Sequence, residues 1–109
     1  MKPADSKIET FASLAEARYA DYWEASGYTF EAAPSIVVKP GRKYAKLVLE
    51  RPNGNGGSVF AFVDRETGLV YKPAGWSAPA KHARGDVNSA EFGLEALSPA
   101  GSMPSVRYL

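Results

Sequence analysis

Residues 72–86 read KPAGWSAPAKHARGD, and this stretch holds the side chains best suited to recognising a charged partner. Trp76 offers a π-face on which a base can stack, and Lys81 and Arg84 offer donors for phosphate oxygens. Lys72 opens the stretch, while Pro73, Gly75 and Pro79 turn or extend the backbone that carries these groups. Tyr44 and Lys46, earlier in the chain, add a second ring and a further cation expected on the same side. The candidate ligand-binding set is therefore Tyr44, Lys46, Lys72, Trp76, Lys81 and Arg84.

Groups able to make and break bonds are scarce. Cysteine is absent and His82 is the single histidine, so thiolate nucleophiles and multi-histidine metal sites are excluded. Ser77 or Ser89, His82 and Asp86 could in principle form a triad, but nothing places a serine on a strained elbow. Asp64 and Glu66 fall at a hairpin tip, a position normally in solvent. The glycine-rich Asn53-Gly54-Asn55-Gly56-Gly57 runs into a strand-like Ser58-Val59-Phe60, whereas a phosphate-cradling loop must open a helix. No catalytic residue, metal ligand or cofactor is expected.

Charge is unevenly spread behind a net value of +1. Residues 32–85 carry nine basic and three acidic side chains, residues 1–31 three basic and six acidic, and residues 86–109 one basic and three acidic. A basic centre of about +6 between acidic flanks attracts phosphate at a range set by ionic strength. The plainer reading is a set of solvated strand faces beside an acidic helix. No apolar run reaches the roughly 18 residues needed to span a bilayer, so a membrane partner is not expected and the chain reads as cytoplasmic.

The elements that must position these groups are legible from periodicity. Ile8, Phe11, Ala12, Ala15, Tyr19, Tyr22 and Trp23 recur at three- and four-residue intervals and predict an amphipathic helix over residues 6–26. Ser6 and Glu9 have capping-box spacing, and Gly27 supplies a left-handed stop. Ile36-Val37-Val38 is a short strand closed by the Pro40-Gly41 turn pair. In the next strand Ala45, Leu47 and Leu49 point one way, and Tyr44, Lys46, Val48 and Glu50 the other. Val59 to Val63 is apolar on both faces, as in a central strand, with Phe60 and Phe62 on one side. Asp64-Arg65-Glu66-Thr67-Gly68 is a short loop, and if it has four residues the returning strand Leu69–Lys72 places Tyr71 near those rings. An irregular arm follows, then weak helical turns around Gly93, then a short strand at Ser105–Leu109.

The fold class expected is α+β: one N-terminal helix on an antiparallel sheet of four to five strands, all in a single domain spanning residues 1–109. Phe60-Ala61-Phe62-Val63 resembles the aromatic strand of an RNA-recognition motif, but the preceding glycine and basic residue are missing and no strand precedes the helix. The run F-V-D-x-x-T-G-x-V-x-K-x-A-x-W-x-x-P-A-K-x-x-R-G resembles a family of small proteins encoded by tailed bacteriophages and other large DNA viruses. That resemblance spans roughly residues 41–88, with a weaker echo at the C-terminal V-R-Y-L. It implies a viral accessory protein made in the host-cell cytoplasm. The function expected is non-enzymatic binding of a phosphate-bearing partner, foremost nucleic acid. The alternatives are counter-defence by sequestering a nucleotide-like small molecule, which could use a pocket between the protomers of a homo-oligomer, and a protein–protein adaptor or minor virion component.

Overall fold

A computed structural model describes residues 1–27, 32–52 and 57–107. The glycine-rich loop apart from Gly57, the segment 28–31, and Tyr108 and Leu109 lie outside the described residues. Helix α1 spans Asp5–Ala25, and five strands follow: β1 Ser35–Pro40, β2 Tyr44–Glu50, β3 Gly57–Asp64, β4 Leu69–Pro73 and β5 Pro79–Asp86. The strands form one antiparallel sheet in chain order, β1 to β5. Helix on antiparallel sheet is the α+β arrangement that the hydrophobic periods require.

One face of the sheet is covered by α1. Ile8, Phe11, Ala12 and Ala15 from the helix join Ala45, Leu47, Ala61, Val63 and Val70 from the strands in a single apolar cluster. Tyr19 is buried too, while Tyr22 is only half-buried and meets the Tyr19 ring edge-on at 6.3 Å. Gly27 has φ +77°, the left-handed stop the sequence implies. At Gly93, φ is +92° and a Cβ would lie 2.9 Å from Phe11 Cδ1. Only glycine allows both that backbone turn and the close approach to the helix.

Four local expectations are corrected. The Ser6–Glu9 capping box does not form: the helix starts a residue earlier, behind Ala4, with no side-chain cap. The start is instead fixed by docking, since Ala4 N–H donates to Arg65 O and Lys2 N–H to the Asp5 carboxylate. Phe60 does not share a face with Phe62. The β2–β3 register shifts after Leu47, pairing Leu47 with Ala61 and Val48 with Val59. Phe60 is the extra residue of this bulge, and the bend sends its ring into the helix-side core. The stretch read as an irregular arm is largely strand β5, with only residues 74–78 outside strands. Of the strand expected at Ser105–Leu109, the described residues 105–107 form one bridge, Leu97 with Val106, and pair with residues 96–98 rather than with the sheet, while Tyr108 and Leu109 lie outside the described residues.

Strand β1, at one edge of the sheet, is partly blocked from further pairing. Ile36 N–H points away from β2 and donates to Glu16 Oε1 at 2.7 Å, and Pro40, of the same parity, has no N–H to offer.

Arg65 fastens the other end of the helix to two turns. Its guanidinium donates to both carboxylate oxygens of Asp5, at 2.9 and 2.6 Å, and to Gly41 O at 2.5 Å. Its own N–H reaches Lys43 O at 2.9 Å. This pairing, with the Lys2 N–H bond, holds the Asp5 carboxyl well below the usual carboxylate range.

Two tests follow from this packing. Phe11 is fully buried, so Phe11→Ala should lower unfolding stability by about 3–5 kcal/mol. An unchanged midpoint in denaturant melts would show that α1 does not seat on the sheet through this ring. Because the folded-state pKa of Asp5 is depressed, its contribution is present above the unfolded carboxylate value and is lost as pH falls. The stability gap between wild type and Asp5→Asn should be constant above pH about 4 and shrink below it. A gap that does not vary with pH would mean the charge pair does not supply it.

Candidate functional site

The face of the sheet turned away from α1 carries a cluster of aromatic and basic side chains. Strand alternation places Tyr44 and Lys46 there, opposite to the buried Ala45 and Leu47. The β2–β3 register sets Lys46 across from Phe62, and the β3–β4 register sets Phe62 across from Tyr71. Three rings therefore meet on adjacent strands. The Tyr44 ring packs edge-on against Phe62 at 6.2 Å and against Tyr71 at 5.8 Å. Such pairs contribute about 0.5–1.5 kcal/mol each beyond burial, so the cluster is a firm platform.

Trp76 joins the platform from the β4–β5 hairpin tip. Ala74 N–H and Gly75 N–H both donate to Ala78 O, closing a tight loop that projects the indole. The Lys46 ammonium lies 4.4 Å from the centre of the Trp76 ring, and that of Lys43 lies 5.4 Å from the Tyr44 ring. Trp76 stays 56 % exposed, the most exposed large aromatic among the described residues.

Beside these rings runs a groove of about 410 Å³, lined by Lys39, Arg42, Lys43, Lys46, Tyr44 and Phe62, with Ser77 from the hairpin tip and the Pro40-Gly41 turn. Four basic residues and no acidic one line it. Among the described residues Lys39 has a carboxylate nearby, Glu50 at 3.6 Å, with both groups largely in solvent. The basic turn is not loose, because Arg65 holds its Gly41 and Lys43 carbonyls.

Of the six residues singled out from sequence, the structure brings Tyr44, Lys46 and Trp76 together. Lys81 lies exposed on β5. Lys72 and Arg84 are directed elsewhere. Lys72 follows Tyr71 and so takes the opposite face, where its ammonium donates to Val106 O at 3.2 Å. Arg84 is displaced by a register shift in which Val70 pairs with Gly85 and Tyr71 with Ala83. Its guanidinium reaches Arg107 O at 3.0 Å and also His82 O. Both side chains thus fasten the C-terminal segment to the sheet.

Other titratable groups have structural partners. Asp64 is buried, and its Oδ1 accepts from Glu66 N–H and Thr67 N–H, shaping the β3–β4 turn rather than facing solvent. Glu95 accepts from Asp86 N–H and Ser89 Oγ, and although partial burial raises its pKa, these bonds outweigh that and lower it overall. The Asp86 carboxylate takes Asn88 N–H and side-chain amide. No helix among the described residues is long and apolar enough to cross a membrane.

Sequence reasoning passed over Lys39, Arg42 and Lys43 as site residues. The signal was present: folding the chain at Pro40-Gly41 pairs Lys39 with Lys46 and puts the intervening cations at the turn. The chain belongs to a family of unknown function, DUF7717. The match covers residues 8–109, nearly all of the sequence. No curated protein and no solved structure matches it. The family span takes in α1 from Ile8 onward, the whole sheet and the tail that Lys72 and Arg84 hold.

Arg84→Ala should destabilise the fold by about 1 kcal/mol through its lost bonds to the tail. Ligand binding by the folded variant should be unchanged. If binding falls while the melt stays at the wild-type midpoint, Arg84 belongs to the site after all.

Proposed function

We propose that this protein is a non-enzymatic binder of single-stranded nucleic acid, with the sheet face away from α1 as its binding surface. The observation that carries the reading is the groove in which Lys39, Arg42, Lys43 and Lys46 flank Tyr44 and Phe62 beside an exposed Trp76. Aromatic faces stack unpaired bases of any sequence, and a cationic groove follows the backbone. Paired bases offer no such faces, which favours a single strand over a duplex. Lys81 on the neighbouring β5 extends the basic surface.

The groove is bounded on one side by exposed residues of the β1–β2 turn. A continuous strand fits such an open trough better than a sequestered mononucleotide, which calls for an enclosed pocket. An adaptor acting by strand addition at β1 is disfavoured by the Glu16 cap and Pro40 on that edge. The viral accessory role fits this reading, since replication and expression of a viral genome expose single strands.

The test is a titration of a labelled oligothymidylate of about 12 nucleotides, a length within the range one such surface covers. Affinity should fall steeply as salt rises from about 50 to 200 mM, and Lys43→Ala with Lys46→Ala should reduce the logarithmic salt slope by up to about 1.4. Trp76→Ala should weaken binding by about 1–3 kcal/mol with little change in that slope. His82→Ala should behave as wild type. No binding by the wild-type protein at about 50 mM salt, where phosphate contacts are strongest, would reject the proposal.

A further inference from the structure

Two rings of the binding face are already covered by ammonium groups of the chain itself. Lys46 stands over Trp76 at 4.4 Å and Lys43 over Tyr44 at 5.4 Å. A cation on an aromatic face and a base stacked on that face compete for the same π surface. The sheet explains why Lys46 leans on the indole. Its partner across the β1–β2 ladder is Lys39, and like charges directly opposite repel. Lys39 turns toward Glu50, and Lys46 toward Trp76.

We propose that Lys46 is an internal occupant of the Trp76 stacking surface, displaced by an incoming base and then paired with a phosphate of the same strand. This inference rests on the nucleic-acid reading of the face. The exchange couples two steps that would otherwise be independent. A base without a charged backbone must dislodge the ammonium into water beside Lys39, bringing no anion to receive it. A phosphodiester strand brings the base and the anion together. Lys46 therefore acts in two directions, aiding charged strands and obstructing neutral ones, and the face discriminates nucleic acid from other flat aromatic molecules.

The experiment compares an oligothymidylate of about 8 nucleotides with its uncharged methylphosphonate analogue, on wild type and Lys46→Gln. The variant should bind the phosphodiester strand more weakly and with a shallower salt slope. It should bind the neutral strand about threefold more tightly, the scale of an exposed cation–π contact removed. In NMR spectra of the wild type, the Lys46 Cε protons should be shifted upfield by the indole, lose that shift in Trp76→Leu, and move downfield as the phosphodiester strand is added. If Lys46→Gln leaves the neutral strand unchanged or weaker, Lys46 is only a phosphate contact and the exchange is wrong, while nucleic-acid binding stands. Lys46 resonances that remain upfield at saturation overturn it equally, and that reading decides even where the neutral strand binds too weakly to titrate. Wild-type protein that binds neither strand overturns both proposals.

Discussion

Arg65 is where the architecture is held together. A single guanidinium joins the first turn of α1, through both oxygens of Asp5, to the β1–β2 turn, through Gly41 O, while its backbone engages Ala4 and Lys43. Bidentate geometry makes this pair directional as well as attractive. It also replaces the missing side-chain cap: the helix start is set by a tertiary contact. The same contact fixes the turn from which Arg42 and Lys43 project. Core and basic groove thus share one constraint, and the acid sensitivity of that constraint follows from the depressed pKa of Asp5.

The division of labour between the two faces follows from having one helix for five strands. An α1 of 21 residues can cover only one side of the sheet. The other side must be solvated, or must shield itself. Here it shields itself with aromatic side chains: Phe62 is only 4 % exposed although no helix lies over it, because the rings of Tyr44 and Tyr71 stand against it and Lys46 lies opposite. A rigid aromatic surface bordered by lysines is what remains on the outside. Trp76 stands apart from these packed rings, being mostly exposed at the β4–β5 hairpin tip.

Two β-bulge-like irregularities decide which side chains reach that surface. The shift after Leu47 turns Phe60 inward, where its ring joins the helix-side core instead of extending the aromatic cluster. The shift between Val70 and Tyr71 takes Arg84 out of the alternation and gives it to the C-terminal tail. Gly85 makes the second arrangement possible, since a Cβ there would lie 2.8 Å from that of Ala96. These irregularities cost ladder regularity and gain, in return, a filled core corner and a fastened chain end.

Much of this was legible along the chain. The 3.6-residue stripe from Ile8 to Tyr19 specified a helix and its buried side, and the alternation from Tyr44 to Glu50 specified a strand and its two faces, because both patterns are local consequences of backbone geometry. Tyr71 was expected beside the β3 rings on condition of a four-residue loop, and the loop between Asp64 and Leu69 has that length. The grouping of Tyr44, Lys46 and Trp76 was anticipated in outline. Only the tertiary structure decided that Lys72 and Arg84 serve the tail, that Phe60 belongs to the core, that residues 79–86 form a strand, and that Lys39, Arg42 and Lys43 complete the groove. The physical reason is the same in each case. Period and propensity are properties of neighbouring residues, whereas a bulge, an edge pairing or the direction of a long cationic side chain is settled by partners far away in sequence, and one shifted register moves a residue from one face of a sheet to the other.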